Sequence, residues 1–254
     1  MKNKYIVLNN PGKFQSKENT IDLKLSEGEA LVKIKKIGVC GTDYHAFRGN
    51  QPFFTYPRVL GHELGAEVVQ LHSASNDLAI GDRVAVEPYL NCGRCQPCRN
   101  GKSNCCEQLK VLGVHVDGGM ATLLKVPVNK LHRSSVLSYD HLATIEFLGI
   151  GAHAVERSNI KKGDTVLVIG AGPIGLSVVQ FAKLKGIKVV VMDFNNNRLN
   201  FAQSRLKADE IICPDKDFLP ENLILFILVT TTKSPLSTCG LNDGLFLPLK
   251  TLEI

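Results

Sequence analysis

Cys92, Cys95, Cys98 and Cys106 stand in the stretch "CGRCQPCRNGKSNCC" with the spacing C-x2-C-x2-C-x7-C. That spacing lets one small loop wrap four thiolates around a tetrahedral ion at about 2.3 Å each, with Cys105 a bystander. The first three also begin an iron–sulfur pattern, but that pattern continues x3-C-P, whereas Cys98 is followed by "RNGKSNCC". A zinc ribbon of the nucleic-acid-binding kind usually pairs two C-x2-C knuckles across a longer gap. Zinc is the stronger reading, and a site with four cysteine ligands has no open position, so it would hold the fold together and do no chemistry. Two further stretches, "GVCGTDYH" and "LGHELG", carry Cys40, His62 and Glu63, which suit a first or second metal shell. Each alone also fits a duller role, as a small buried thiol or a hydrogen-bonded pair.

A third stretch, "GAGPIG", supplies Gly170, Gly172 and Gly175. It follows the apolar run "DTVLVIG" and leads into Ile174, Val178, Phe181 and Ala182 at helical spacing, with Gly186 as a stop. A second apolar run, "KVVVMD", ends in Asp193, 18 residues after Gly175. Strand, glycine turn, helix, strand and acid together form the dinucleotide fingerprint. Gly170 permits the tight turn, Gly172 lets backbone approach a pyrophosphate, and Gly175 lets the helix pack close to the strand, with the phosphates at the helix N-terminus. Asp193 would accept hydrogen bonds from the adenosine ribose hydroxyls and repel a 2′-phosphate, which predicts NAD over NADP.

The elements that must position these groups divide the chain. Its 254 residues, 44% hydrophobic and 21% charged, suffice for one large or two ordinary domains. The first part reads as all-β: "EALVKIKKIGVC" alternates Val32 and Ile34 with Lys33 and Lys35, and "GDRVAVEPY" follows a Gly-Asp turn with another short strand. From about Asp164 the βαβ texture predicts a parallel sheet buried on both faces, so two domains meet near residues 150–160. The N-terminus "MKNKYIVLNNPGKFQ" lacks the apolar run and cleavage site of a secretory signal, so a cytoplasmic chain is expected, with clustered thiols acting as ligands and not as disulfides. The longest apolar stretch, "LILFILV" at Leu223 to Val229, falls far below the roughly 18 residues that cross a bilayer. A net charge of +6 is spread among apolar and acidic neighbours, which argues against a nucleic-acid partner.

In order, "CGTD" at Cys40, "GHE" at Gly61, "GDRV" at Gly81, the four-cysteine lobe and "GAGPIG" resemble the zinc-containing medium-chain alcohol and polyol dehydrogenases, in the sorbitol and threonine dehydrogenase-like branch, over roughly residues 1–215. The resemblance implies a fold of α/β plus all-β class. A GroES-like β-barrel catalytic domain at 1–155, with its structural lobe at about 88–110, is followed by a partial Rossmann doubly wound parallel sheet at 156–220 and an atypical tail at 221–254. It also implies two zinc ions per chain together with NAD. By that resemblance Cys40 and His62 bind a catalytic zinc, Glu63 is a ligand that exchanges with water, and Glu146 in "IEFLGIGAHAVER" is the remaining ligand. Cys92, Cys95, Cys98 and Cys106 then hold the structural zinc. Thr42 resembles the family's hydroxyl relay, and His45 the imidazole that hands the proton to water. A hydroxyl both accepts and donates, and an imidazole of pKa near 6.5 suits a shuttle at neutral pH.

Two positions depart from the family pattern: Phe147 stands where proline is common, and Ala66, with Gly65 one place early, stands where glycine is usual. Local backbone adjustment is expected there, with the site kept. The implied partner is a small secondary alcohol such as a polyol or sugar acid; Phe53, Phe54 and Tyr56 are candidate pocket residues or equally packing aromatics, and homo-oligomers are expected of full-length relatives but not of this shortened chain. After Pro220 the sequence shows no glycine turn and no clear fourth strand, while a six-strand dinucleotide domain needs on the order of 130 to 150 residues. The tail after about residue 220 is therefore expected to be truncated or out of frame, leaving NAD binding weak and polyol oxidation undetectable. The competing expectation is a catalytically silent zinc-binding remnant of such an enzyme.

Overall fold

The computed structural model describes residues 1–52, 54–72, 78–214 and the strand 225–228 of the chain, which forms two compact units, 1–146 and 147–254. The first unit opens with β1 (Lys2–Asn10), β2 (Lys13–Thr20) and β3 (Glu29–Gly38), followed by the short helix α1 (Gly41–Phe47), β4 (Arg58–Val59), β5 (Glu63–Leu71) and β6 (Arg83–Val86). Then come β7 (Tyr89–Leu90), α2 (Gln96–Arg99), β8 (Lys110–Val111), β9 (Leu123–Pro127), β10 (Leu131–Arg133) and α3 (Tyr139–Ala143). The strands pair antiparallel in the orders β2-β1-β4, β10-β6-β5-β3-β9 and β7-β8.

The core of the large sheet is aliphatic: Val32, Leu64, Ala66, Val68, Val84, Val86 and Val126 are buried, each full burial of a valine or leucine contributing about 1.5–3 kcal/mol. The alternation expected along β3 does not run to its end. Ile34 pairs with Ala66 but Lys36 pairs with Gly65, so Lys35 is an extra residue in a bulge, and Ile37 turns outward. The bulge lies opposite Gly65 and Ala66, and Gly65 has a packing reason of its own. A Cβ on Gly65 would come within 2.2 Å of the Tyr139 carbonyl oxygen at the start of α3.

The second unit contains most of α4 (Ile145–Arg157), followed by β11 (Thr165–Ile169), α5 (Pro173–Leu184), β12 (Lys188–Met192), α6 (Asn196–Leu206), β13 (Glu210–Ile212) and β14 (Leu225–Leu228). Proline at the first turn of α5 has the preset φ that starts a helix, and Gly186 ends that segment at φ +70°. The units part at Glu146, before the expected residue 155, because α4 packs against α5. Val155 joins the second core, Ser177 Oγ donates to the Leu148 carbonyl at 3.1 Å, and a Cβ on Gly151 would strike Ser177 Oγ at 2.1 Å.

All strands of the second sheet are parallel, in the order β13-β12-β11-β14. Val166, Leu167 and Val168 are fully buried, with Val166 and Val168 in one cluster and Leu167 in another, as expected of a strand covered on both faces. One expectation is corrected: a fourth strand does follow Pro220. β14 pairs in parallel register with β11, Val166 opposite Leu225 through Ile169 opposite Leu228. A continuous apolar run carries no alternation and no turn signal, so only the open edge of β11 reveals it as a strand. The rest of the tail expectation, at residues 221–224 and 229–254, lies outside the described residues.

Candidate metal centres and cofactor turn

The four-cysteine loop leaves the first unit through a narrow neck. β7 pairs with β8, Tyr89 opposite Val111 and Leu90 opposite Lys110, and the chain between them brings the Sγ atoms of Cys92, Cys95, Cys98 and Cys106 within 4.8 Å of one another. Backbone groups turn inward: the amide N–H groups of Cys92 and Gln108 donate to Cys106 Sγ at 3.2 and 3.4 Å, and Asn91 Nδ2 approaches Cys98 Sγ at 3.8 Å. The amides of Arg94 and Cys95 pull the Cys92 thiol down to about 6, while desolvation and the hydrogen bond with Cys95 push Cys98 up to about 11. Thiols this close compete to share protons, a conflict that a divalent cation would resolve by taking all four as thiolates. Cys105 stands outside the group, as the spacing predicted.

The second cluster draws on distant segments. Cys40 directly precedes α1, His62 directly precedes β5 and Glu63 begins it; one ligand atom from each lies within 4.8 Å of the others. Two glycines make this possible. Gly61 holds φ +95°, a conformation that side chains strain to adopt, and a Cβ on Gly38 would stand 2.1 Å from Glu63 Oε2. Burial raises the Cys40 thiol, against hydrogen bonds with Thr42; it also raises the Glu63 carboxyl to about 7, with the charge of Glu146 as the second cause. A soft sulfur, an imidazole and a carboxylate, half to fully buried, form a donor set that suits zinc with a position left open.

Around this group the structure adds residues that no sequence motif had assigned a role. Asp43 accepts from the Cys40 amide through Oδ2 at 2.9 Å, while Asp43 Oδ1 and His62 Nδ1, both buried and without a hydrogen-bond partner among the described residues, face each other at 3.8 Å. A small closure would pair them, fix the imidazole tautomer and leave Nε2 for a metal. The signal for Asp43 was present, since an acid three residues after a helix cap is a capping pattern. Tyr89 had no local signal: its phenol donates to Glu146 Oε1 across 57 positions of sequence. Burial first, then the charge of Glu146, raises the Tyr89 phenol, which stays a donor.

Of the expected residues, Thr42 Oγ1 lies 3.8 Å from Cys40 Sγ and His45 lies half-buried on α1. Glu146 is not drawn into the converging set. Its carboxylate is held by Tyr89, and without a cation two neighbouring acids repel. Phe54 and Tyr56 pack edge to face at 4.8 Å in a cluster with Leu8, Ala46 and Leu60, which makes them packing aromatics here; Phe53 lies outside the described residues.

In the second unit, Gly170 takes φ +100° and a Cβ on Gly175 would stand 1.8 Å from its carbonyl oxygen, whereas a Cβ on Gly172 would meet nothing within 4 Å. The turn is thus tight where strand meets helix and open at its crest. Asp193 accepts from the Ala171 amide at 2.7 Å through Oδ2 and from the Asn195 amide at 2.7 Å through Oδ1, so its carboxylate is fixed at the rim of the turn.

Comparison with known proteins agrees with this architecture. Residues 26–136 match the alcohol dehydrogenase GroES-like domain. The chain is 47% identical over 192 residues to L-galactonate-5-dehydrogenase of Escherichia coli K12, covering 76% of this chain and 56% of that protein. Among solved structures, an alcohol dehydrogenase (rspB) from E. coli CFT073 complexed with NADH superposes with a TM-score of 0.77 at 38% identity, covering 83% of this chain and 62% of that one. Galactitol-1-phosphate dehydrogenase from Escherichia coli gives a TM-score of 0.80 at 28% identity, covering 87% and 67%. The chain therefore spans roughly half to two thirds of the length of the relatives it matches. With a GroES-like unit carrying both cysteine-containing clusters and a parallel sheet carrying the glycine turn, the chain carries the alcohol dehydrogenase GroES-like domain at residues 26–136 and is similar in sequence and fold to zinc-type alcohol and polyol dehydrogenases.

Proposed function

We propose that this chain supplies the metal-binding half and part of the cofactor domain of a zinc- and NAD-dependent oxidoreductase, acting on a secondary alcohol of the polyol or sugar-acid class. The observation that carries the reading is the convergence of Cys40, His62 and Glu63, three donor types from two separate segments, in a half-buried site beside Thr42. Zinc bound there would supply Lewis acidity toward an alcohol oxygen. Cys40 and His62 would hold the ion, with Glu63 and Glu146 as the carboxylates that share or exchange its remaining positions, and the four cysteines of the lobe would hold a second. Thr42 can accept a proton from a substrate hydroxyl and donate its own onward, and His45 on the same helix would pass it to water. Gly170 to Gly175 would cradle the cofactor pyrophosphate, and Asp193, already anchored by two amides, would accept from the ribose hydroxyls of NAD.

Metal analysis of the purified chain tests this reading. About two zincs per chain are expected, falling to one in His62→Ala with the lobe ion retained. One zinc in the unaltered chain would leave the silent remnant as the better account, and iron with visible absorbance would overturn zinc altogether.

A further inference from the structure

Tyr89 links the two metal clusters of the first unit. Its backbone lies in the two-residue ribbon that closes the neck of the cysteine loop, three positions before Cys92. Its half-buried phenol reaches away from that loop to Glu146 Oε1, and lies near enough to Cys40 to feel its charge. Glu146 in turn lies near enough to Glu63 for their charges to interact, although the Cys40–His62–Glu63 group forms without it. A glutamate at the first turn of a helix has several rotamers open to it. The hydroxyl of Tyr89 selects among them, because an O–H donor to a carboxylate fixes both its distance and its direction.

We propose that Tyr89 is a positioning residue for the Cys40–His62–Glu63 site: its phenol sets the carboxylate of Glu146 for the metal, and its place in the neck makes the cysteine lobe the rigid support of that carboxylate. The inference rests on the metal-site reading given above. It assigns Tyr89 no contact with substrate or cofactor. Its effect is on how tightly, and in what geometry, the site takes its ion. Partners that orient a metal ligand typically change metal affinity 10- to 100-fold when removed, by order of magnitude.

Cobalt(II) titration of the 254-residue chain, stripped of metal and given one equivalent of zinc for the lobe, reads this directly through the visible ligand-field bands of the second ion. Tyr89→Phe keeps the ring and loses only the hydroxyl. It should weaken cobalt binding roughly 10- to 100-fold and shift the bands, with the thermal midpoint of the zinc-loaded lobe unchanged. In a Glu146→Gln background the same change should have little further effect, since the two residues act as one unit. Unchanged affinity and bands in Tyr89→Phe would reduce Tyr89 to a packing residue and overturn the proposal. A full-sized effect persisting in the Glu146→Gln background would overturn the route through Glu146. If the unaltered chain takes no cobalt beyond the lobe, the reading of the site itself fails and the proposal with it, a result visible before any substitution is made.

Discussion

The cysteine lobe and the Cys40–His62–Glu63 group lie in one folded unit and solve the problem of gathering ligands in opposite ways. The lobe takes all four ligands from one short loop, so the neck pairing of β7 with β8 and the turns around α2 suffice to close it. The buried group takes its ligands from the start of α1 and the start of β5, which meet only because β3 and β5 pair from Ala30 opposite Leu71 to Gly38 opposite Glu63. The first site is a local commitment of the chain. The second is a consequence of sheet register, and a slip of one residue would turn Glu63 to the other face. The difference suits their chemistry, since four thiolates leave no open position, while a set of three mixed donors does.

The largest expected effect separates the sites at the lobe. Structural zinc of this kind supplies about 10–16 kcal/mol of binding free energy that becomes folding free energy. At roughly 2–4 °C per kcal/mol for a chain of this size, losing even a quarter of it moves Tm by on the order of 10 °C. Cys95→Ser should show that drop and lose one zinc, with the buried site keeping its ion less tightly; an unchanged Tm would show that the lobe folds without metal.

A smaller effect belongs to the buried site when stripped of metal. Folded Glu63 holds its proton up to about 7, while the unfolded side chain releases it near 4.5. The folded state therefore binds more protons between those values, and stability is lost as pH rises through them, by on the order of 3 kcal/mol. Urea unfolding of the metal-free chain at pH 4.5 and 7.5 should reveal the loss, and Glu63→Gln should flatten it. Zinc should suppress it too, because a cation favours the carboxylate. A slope that persists in Glu63→Gln would assign it to another group.

The smallest effect is at Cys105, half-buried beside Cys106 but outside the converging thiols. Cys105→Ser should leave zinc content unchanged and shift stability by no more than about 0.5 kcal/mol. Loss of a zinc there would mean that the ligand set includes Cys105.

The sequence by itself determined what is local. The cysteine spacing, the glycine turn with Asp193 at its rim, and the strand–helix–strand pattern that became β11, α5 and β12 could all be read, because each is set by neighbours within one or two turns of chain. Only the tertiary structure decided the rest. It drew β14 onto the edge of β11, moved the unit boundary to Glu146, made packing residues of Phe54 and Tyr56, and placed Asp43 opposite His62. It also brought the Tyr89 phenol onto Glu146, whose charge acts on Glu63 of the converging group. These outcomes depend on which distant surfaces meet, and on the cost of burying a charge or a polar atom where they do. Contacts of that kind leave no periodicity or spacing for a sequence to display.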